Sequence, residues 1–201
     1  MATGRDPVDR EVSELAAKSE EKAIGELGDG AITEGGLSRL RDLIGTKLRI
    51  NQFNDLASKQ AIKNFVNGIG DTNPLYRDEE YASKTRYGKI IAPPSWLYSV
   101  FPTWVSVGLP GVHGIHSGND WEFYRPIFVG DTITPQCIFT GYEEKPSRFA
   151  GRTVIIHEEA RYSNQRGELV AKAKTWSVRA ERHKARSTGK YAQIKLPHPW
   201  T

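Results

Sequence analysis

The second half of the chain consists of four strand-like runs, and this pattern restricts the fold more than any other feature. The runs are rich in β-branched and aromatic residues, and turn-forming residues separate them at Gly130-Asp131, Lys145-Pro146-Ser147 and Asn164-Gln165-Arg166-Gly167. Consecutive strands joined by short turns favour one antiparallel sheet. The predicted strands are Ile115 to Tyr124, Thr132 to Tyr142, Arg152 to Tyr162 and Leu169 to Arg182.

Two main helices are predicted before these strands. Ser58 is a suitable N-cap, and apolar residues recur every three or four positions from there to Gly68, which is typical of an amphipathic helix. A second helix is predicted from Pro93-Pro94 to Phe101, because proline suits a first turn and the following residues are apolar on nearly every face. A first strand at Leu48-Arg49-Ile50 and a short helix from Asp78 to Thr85 complete the prediction. Periodicity therefore favours an α+β domain with a meander.

A chain of 201 residues has a length that one domain can fill. The N-terminal part has few large apolar residues, and Val12 and Leu15 indicate one weak helix there. The net charge of +4 comes from 28 basic and 24 acidic residues, and a basic cluster runs from Arg179 to Lys190. Neither interleaved aromatics nor a nucleic-acid motif accompanies this cluster, so no nucleic-acid partner is expected. The predicted regions are an extension at 1–35, the domain at 36–182 and a basic tail at 183–201.

Cysteine use and hydropathy point to the cytoplasm. Cys137 is the single cysteine, so no intrachain disulfide can form, and no apolar leader with a basic flank is visible. The longest apolar stretch, from Trp96 to Leu109, is shorter than the roughly 20 residues that span a bilayer, and polar residues interrupt it. We expect a cytoplasmic protein without a membrane span.

Three motifs resemble those of the MaoC-like hot-dog hydratases, and in particular the N-terminal dehydratase-like domain of the paired members. The resemblance covers roughly Leu37 to Arg182, and it implies a hot-dog fold, in which an antiparallel sheet wraps around a long buried central helix. The motifs are Gly70-Asp71-Thr72-Asn73-Pro74-Leu75-Tyr76, Tyr87-Gly88-Lys89-Ile90-Ile91-Ala92-Pro93-Pro94, and Trp121-Glu122-Phe123-Tyr124-Arg125-Pro126-Ile127 with Val129-Gly130-Asp131.

The chemistry that this resemblance implies is reversible addition of water to a trans-2-enoyl thioester. In the family an aspartate and a histidine divide the proton transfers, and a glycine amide at a helix start polarises the thioester carbonyl. Asp71 matches the aspartate, but Tyr76 occupies the histidine position and Pro94 the glycine position. A phenol is a poor base at neutral pH, and proline has no N–H to donate. The resemblance thus implies a companion subunit whose hot-dog partner supplies the missing groups.

Other interpretations of these residues stay open. Asp71 can instead satisfy turn amides, and the aromatics of the second helix can be core residues. His116, in a glycine-rich segment, can replace the missing imidazole in a homodimer, which then acts as a lyase or as a thioesterase with Asp71 as base; a non-catalytic acyl-thioester binding module is the third possibility. No metal or tightly bound cofactor is expected, since CoA or acyl-carrier pantetheine belongs to the substrate. The predicted substrate contacts are Asn73, Pro94, Trp96, Tyr98, His113 and Arg125.

Overall fold

The computed structural model describes residues 30–105, 107–109, 111–148 and 150–181. The predicted helix around Leu15 and the predicted basic tail at 183–201 lie outside these residues. The helices are α1 (Glu34–Leu43), α2 (Lys59–Gly68), α3 (Glu79–Ser83) and α4 (Leu97–Val100), with 3₁₀ turns at Pro74–Tyr76 and Pro94–Trp96. The strands are β1 (Lys47–Leu48), β2 (His113–Phe123), β3 (Thr134–Ser147), β4 (Gly151–Ser163) and β5 (Leu169–Ala180).

The five strands form one antiparallel sheet in the order β1-β3-β4-β5-β2. The consecutive strands β3, β4 and β5 make the predicted meander, and β2 pairs with the far side of β5. All four long predicted strands are therefore confirmed. Within the described part of the chain, the second edge of β2 pairs with no strand, so β2 is an edge strand of the sheet.

One face of the sheet carries the core, which divides into two apolar clusters. In the larger cluster, Ile62 and Val66 of α2 pack with residues of the 90–101 segment and with Ala160 and Tyr162 of β4. The smaller cluster joins α1 to the other end of the same strands, with Leu37 and Leu40 against Val154, Ile156 and Phe139. Alternate residues of β4 are buried, which is the period of a strand with one covered face.

Helix α2 forms for the local reasons that the sequence predicted. The Ser58 hydroxyl accepts a hydrogen bond from the Ala61 N–H at 3.0 Å and thereby caps the first turn. The helix ends at Gly68, and Gly70 follows with a φ of +71°, a conformation that glycine adopts readily. The motif that begins at Gly70 therefore lies in an irregular turn directly after α2.

The central helical segment has nearly the predicted bounds, 94–100 against 93–101, but it is not the long α-helix that the resemblance implied. It consists of the 3₁₀ turn Pro94–Trp96 and the single turn of α4, and Phe101 already has extended backbone angles of −155° and 124°. Pro102 explains this end, because the residue before a proline is disfavoured in helical geometry. The expectation of a helix buried on all sides is also wrong, since Tyr98 is 41% exposed while Trp96, Leu97 and Val100 are fully buried.

Two further boundaries differ from the prediction. The segment Lys145-Pro146-Ser147 belongs to β3 rather than to a turn, and the β3–β4 connection follows it. Proline is tolerated there because, among the residues that the structure describes, β1 pairs only with Ile138 and Cys137 and no strand pairs with the outer edge of β3 near Pro146. The predicted first strand, Leu48-Arg49-Ile50, is replaced by the two-residue strand Lys47–Leu48, and Arg49 and Ile50 are not in a strand.

Candidate functional site

A cleft of about 330 Å³ opens beside the first 3₁₀ turn and the start of the central helix. This volume is in the range of small-molecule sites. Three of the residues that the sequence singled out, Tyr76, Pro94 and Arg125, line it together. The other lining residues are Leu75, Tyr87, Ile91, Ala92, Leu97, Phe123, Tyr124, Pro126, Ile127, Val170 and Ala171.

Asp71 lies in the turn that leads to the cleft, but its carboxylate serves the turn itself. One carboxylate oxygen accepts a hydrogen bond from the Asn73 N–H at 2.8 Å. The Asn73 side chain in turn accepts from the Leu75 N–H at 3.0 Å, and Arg77 donates to the Asp71 carbonyl at 3.0 Å. Asp71 and Asn73 therefore fix the conformation of the motif, as one of the two interpretations of Asp71 expects.

The phenol of Tyr76 is set up to stay protonated. Partial burial raises the pKa of Tyr76 above its ordinary value of 10, and the nearby Asp71 carboxylate and Tyr87 raise it further. A group with this pKa cannot serve as a general base at neutral pH, although its O–H can donate a hydrogen bond to a bound group.

Pro94 forms the wall of the cleft at the start of the central helix. Pro93 precedes the 3₁₀ turn with extended angles, and no side chain caps this turn. Because proline has no N–H, the backbone at residue 94 cannot polarise a thioester carbonyl. Arg125, which also lines the cleft, has its guanidinium 3.7 Å from Glu168 and more than half exposed, so it remains available to an anionic group.

The remaining predicted site residues lie away from this cleft. Trp96 is fully buried in the larger core cluster. The Tyr98 hydroxyl accepts from the Trp121 indole N–H at 2.9 Å, on the side of the central helix that faces β2. His113 and His116 are both exposed on β2. At about 3.3 Å per residue, His116 is roughly 20 Å from Phe123 at the cleft, so one chain does not bring it to Tyr76.

Sequence reasoning missed a buried polar group and misplaced a basic one. Glu158 is fully buried in β4, and its position is in phase with the apolar residues Val154, Ile156 and Ala160, which is the signal that could have revealed it. Arg179 is 3% exposed within β5, so it does not belong to a solvated basic cluster. Both side chains are treated below.

Two features are absent from the described residues, 30–181 apart from positions 106, 110 and 149. They contain no group of three or more His, Cys, Asp or Glu side chains arranged to hold a metal ion. None of their helices has the length and apolar character that crossing a membrane requires.

Comparison with known proteins agrees with the geometry of the cleft and the sheet. A family described as "FAS1-like, dehydratase domain region" matches residues 42–173. This chain belongs to the MaoC-like dehydratase family. The family match begins at the end of α1 and reaches into β5, and it therefore covers every element that forms the cleft.

Two relatives of this MaoC-like protein are named as hydratases. The (R)-specific enoyl-CoA hydratase of Aeromonas caviae is 33% identical over 103 residues, which cover 51% of this chain and 75% of the relative. A protein of Thermomonospora curvata named "Probable enoyl-CoA hydratase alpha subunit" is 26% identical over 157 residues, covering 69% of this chain and 49% of that protein.

The fold agrees as well. The crystal structure of a MaoC-like dehydratase from Rhodospirillum rubrum superposes with a TM-score of 0.53 at 26% identity, covering 71% of this chain and 97% of that one. The protein is thus a hot-dog member of a dehydratase family, as the sequence motifs predicted. Its cleft is lined by the Tyr76 phenol and by Pro94.

Proposed function

We propose that this chain is the companion subunit of a hot-dog hydratase or dehydratase that interconverts trans-2-enoyl and 3-hydroxyacyl thioesters of CoA or a carrier protein. In this proposal the chain shapes the acyl and pantetheine channel, and a second hot-dog subunit supplies the aspartate, the histidine and the carbonyl-polarising amide. The observation that carries it is that Tyr76, a poor base at neutral pH, and Pro94, which has no N–H, line the same cleft. Loss of a general base and of an oxyanion donor each costs about a hundredfold or more in rate.

The free edge of β2 supports a hot-dog partner. An unpaired edge strand is an open template for another strand, and proteins usually cover it. Ile115 and Phe123 of β2 are about half exposed, and Trp104 is 39% exposed close to the same strand. A second hot dog that continues the sheet past β2 would cover these side chains. The Thermomonospora curvata relative, which is named as an alpha subunit, is consistent with such a pairing.

The cleft supports an acyl-thioester ligand. Its walls are mainly apolar, with Leu75, Ile91, Leu97 and Ile127, and they offer Tyr76 as a hydrogen-bond donor. Arg125 at the rim is placed to meet a phosphate of CoA or of a carrier pantetheine. In this proposal no cofactor is needed, because the pantetheine group arrives with the substrate.

The test is hydration of trans-2-enoyl-CoA by the purified chain alone and after addition of a hot-dog subunit that retains the aspartate and histidine. We expect little turnover alone and strong turnover of the pair. Asp71→Asn should reduce the activity of the pair by less than about tenfold, since Asp71 holds a turn. Asp42→Asn, an exposed change at the end of α1, is the matched control.

Two outcomes would replace this proposal. Strong turnover by the chain alone that Asp71→Asn abolishes would show a self-sufficient homodimeric lyase, or a thioesterase if acyl-CoA is hydrolysed. Tight binding of acyl-CoA with no turnover in any pairing would show a binding module. His116→Ala then separates the homodimer mechanisms, because only one of them uses that imidazole.

A gain-of-function experiment tests the same proposal by restoring the two groups that this chain is proposed to lack. Tyr76→His alone restores a base but leaves the carbonyl without its donor, so the isolated chain should stay nearly inactive. Combining it with Pro94→Gly should raise hydration by a further factor of about a hundred. If Tyr76→His alone gave full activity, the inferred role of Pro94 would be wrong.

A further inference from the structure

The polar side chains of the cleft can all donate hydrogen bonds. Among the described residues that line it, four carry polar side-chain atoms, namely Tyr76, Tyr87, Tyr124 and Arg125. A guanidinium can only donate, and each protonated phenol has one O–H to donate. The described lining contains no carboxylate, amide or imidazole side chain that could accept these bonds. A ligand of this cleft must therefore supply the acceptors.

Two of the three phenols have an O–H without an acceptor. The Tyr124 hydroxyl donates to Glu122 at 2.6 Å, so its hydrogen bond is already made. Within the part of the chain that the structure describes, the hydroxyls of Tyr76 and Tyr87 donate to no acceptor. Tyr76 and Tyr87, which we call the phenol pair, are thus the side chains of the cleft with a hydroxyl proton left to donate.

Tyr87 is held in place by its neighbours. Arg86 donates to the Tyr87 hydroxyl oxygen at 2.7 Å, and its guanidinium carbon lies 4.8 Å from the ring centroid. The Tyr87 N–H donates to the Thr85 hydroxyl at 3.2 Å, and Gly88 follows with a φ of +71°. Because hydrogen bonds in a chain polarise one another, a phenol that accepts from a guanidinium becomes a stronger donor through its own O–H.

Tyr76 reaches the same cleft from a different segment. It ends the 3₁₀ turn Pro74–Tyr76, which the Asn73 side chain caps. Partial burial and the Asp71 carboxylate raise the pKa of Tyr76, and the charge of an ionised Tyr87 raises it further. Such a charge effect weakens with distance, so it agrees with two phenols that line one cleft close to each other.

The chemistry of the phenol pair favours a carbonyl oxygen that has no N–H beside it. One carbonyl oxygen has two lone pairs and can accept from both phenols. An amide would bring an N–H for which the described lining offers no acceptor side chain, and leaving it unpaired is costly. A carboxylate would be repelled by Asp71, which acts on Tyr76, and would meet mainly apolar walls. A thioester carbonyl meets all three conditions.

We propose that Tyr76 and Tyr87 bind the carbonyl oxygen of an acyl thioester in the cleft of this chain, and that Arg86 positions Tyr87 without touching the ligand. The identity of the ligand rests on the proposed function, whereas the donor pair rests on the lining of the cleft. The contact serves binding rather than proton transfer, because a phenol is a poor base at neutral pH. It makes the companion subunit selective for acyl thioesters over other derivatives of CoA, in addition to the carbonyl-polarising amide of the partner.

Calorimetry with butyryl-CoA and S-butyl-CoA tests the phenol pair, because the thioether lacks only the carbonyl oxygen. Wild type should bind the thioester about fivefold to tenfold more tightly than the thioether. Tyr76→Phe and Tyr87→Phe should each reduce this ratio of Kd values, and the double variant should abolish it. Arg86→Met should reduce the ratio in part, and Arg86→Lys should retain more of it. A general loss of affinity for CoA changes both Kd values equally and leaves the ratio unchanged.

Two phenols of this chain provide matched controls. Tyr124→Phe removes a hydroxyl from the same cleft, but one that already donates to Glu122, so the ratio should stay at its wild-type value. Tyr81→Phe changes a half-exposed phenol of α3 that does not line the cleft, and it should also leave the ratio unchanged. A loss of the ratio in Tyr124→Phe as large as in Tyr87→Phe would overturn the assignment of the phenol pair.

Four other outcomes overturn the inference. They are equal affinity of wild type for the two ligands, a ratio that neither phenol variant changes, a ratio that depends on Tyr76 alone, and displacement of butyryl-CoA by equimolar butyrate. Binding of neither ligand, by the chain alone or with a hot-dog partner, overturns it as well. The proposed function is judged separately, by hydration of trans-2-enoyl-CoA by the pair, so a failure of one is distinguishable from a failure of the other.

Discussion

Replacing Glu158 by glutamine should make the stability of this protein less dependent on pH. Glutamine has nearly the shape of glutamate, and its carbonyl can still accept from the Val105 N–H. It carries no charge at any pH. The variant therefore removes the titration of a buried carboxyl and little else.

The magnitude follows from the raised pKa. Burial moves the pKa of Glu158 from 4.5 to about 7, although the Val105 N–H and Arg179 oppose this shift. Below about pH 4.5 the carboxyl is neutral in both states. As the pH rises from there to about 7, the unfolded chain releases a proton that the folded protein keeps, so the free energy of unfolding falls. At about 1.4 kcal/mol per pH unit the full loss is about 3 kcal/mol.

Urea unfolding of wild type and Glu158→Gln at pH 5 and pH 8 measures this effect. The stability of the variant relative to wild type should rise by about 2 to 3 kcal/mol between the two pH values. Glu79→Gln, at an exposed position paired with Lys59, is the control and should show a small difference that is the same at both. A relative stability of Glu158→Gln that does not change with pH, or that falls, would refute the inferred neutral form of Glu158.

Three further outcomes are expected. The Cys137 thiol, whose pKa burial raises to about 12, should react with Ellman's reagent at pH 8 only as the protein unfolds. Tyr162→Phe leaves the buried Phe101 carbonyl without its 2.7 Å hydrogen bond and should cost about 1 to 3 kcal/mol in urea unfolding. Gly114→Ala should displace the Arg179 guanidinium and cost about 1 to 3 kcal/mol by the same measurement.

Each of these outcomes has a clear contrary result. Labelling of Cys137 at the same rate in folded and unfolded protein would show that the thiol is accessible. A Tyr162→Phe variant as stable as wild type would show that the Phe101 carbonyl finds another donor. For Gly114→Ala the control is Gly68→Ala, where an added methyl meets no atom within 4 Å and should be neutral or stabilising. Equal effects of the two glycine changes would contradict the packing inferred around Arg179.

The parts of the fold that sequence predicted well are those with local causes. Helix α2 begins after the Ser58 cap and ends at Gly68, and both residues are recognisable from the sequence close to them. The strands β2 to β5 alternate with a period of two and stop at turn residues, so their positions follow from short-range patterns. The resemblance added what periodicity lacks, namely the wrapping of this sheet around a central helix.

The predictions that failed depended on distant neighbours. Pro146 was assigned to a turn, yet it is tolerated in β3 because no strand within the described ranges pairs with that part of the edge. Trp96 and Tyr98 are both aromatic residues of the central helical segment, but Trp96 is in the core and Tyr98 faces β2.

The sequence by itself determined the family, the meander and the three residues that mark the cleft, because each is encoded in a contiguous motif. Only the tertiary structure decided that Tyr76, Pro94 and Arg125 share one cleft while His116 lies far from it. It also revealed Glu158, which is buried because β4, its neighbouring strands and the segment that contains Val105 come together only in the folded chain. Burial and distance are properties of the packed protein, and for this reason local sequence patterns could not predict them.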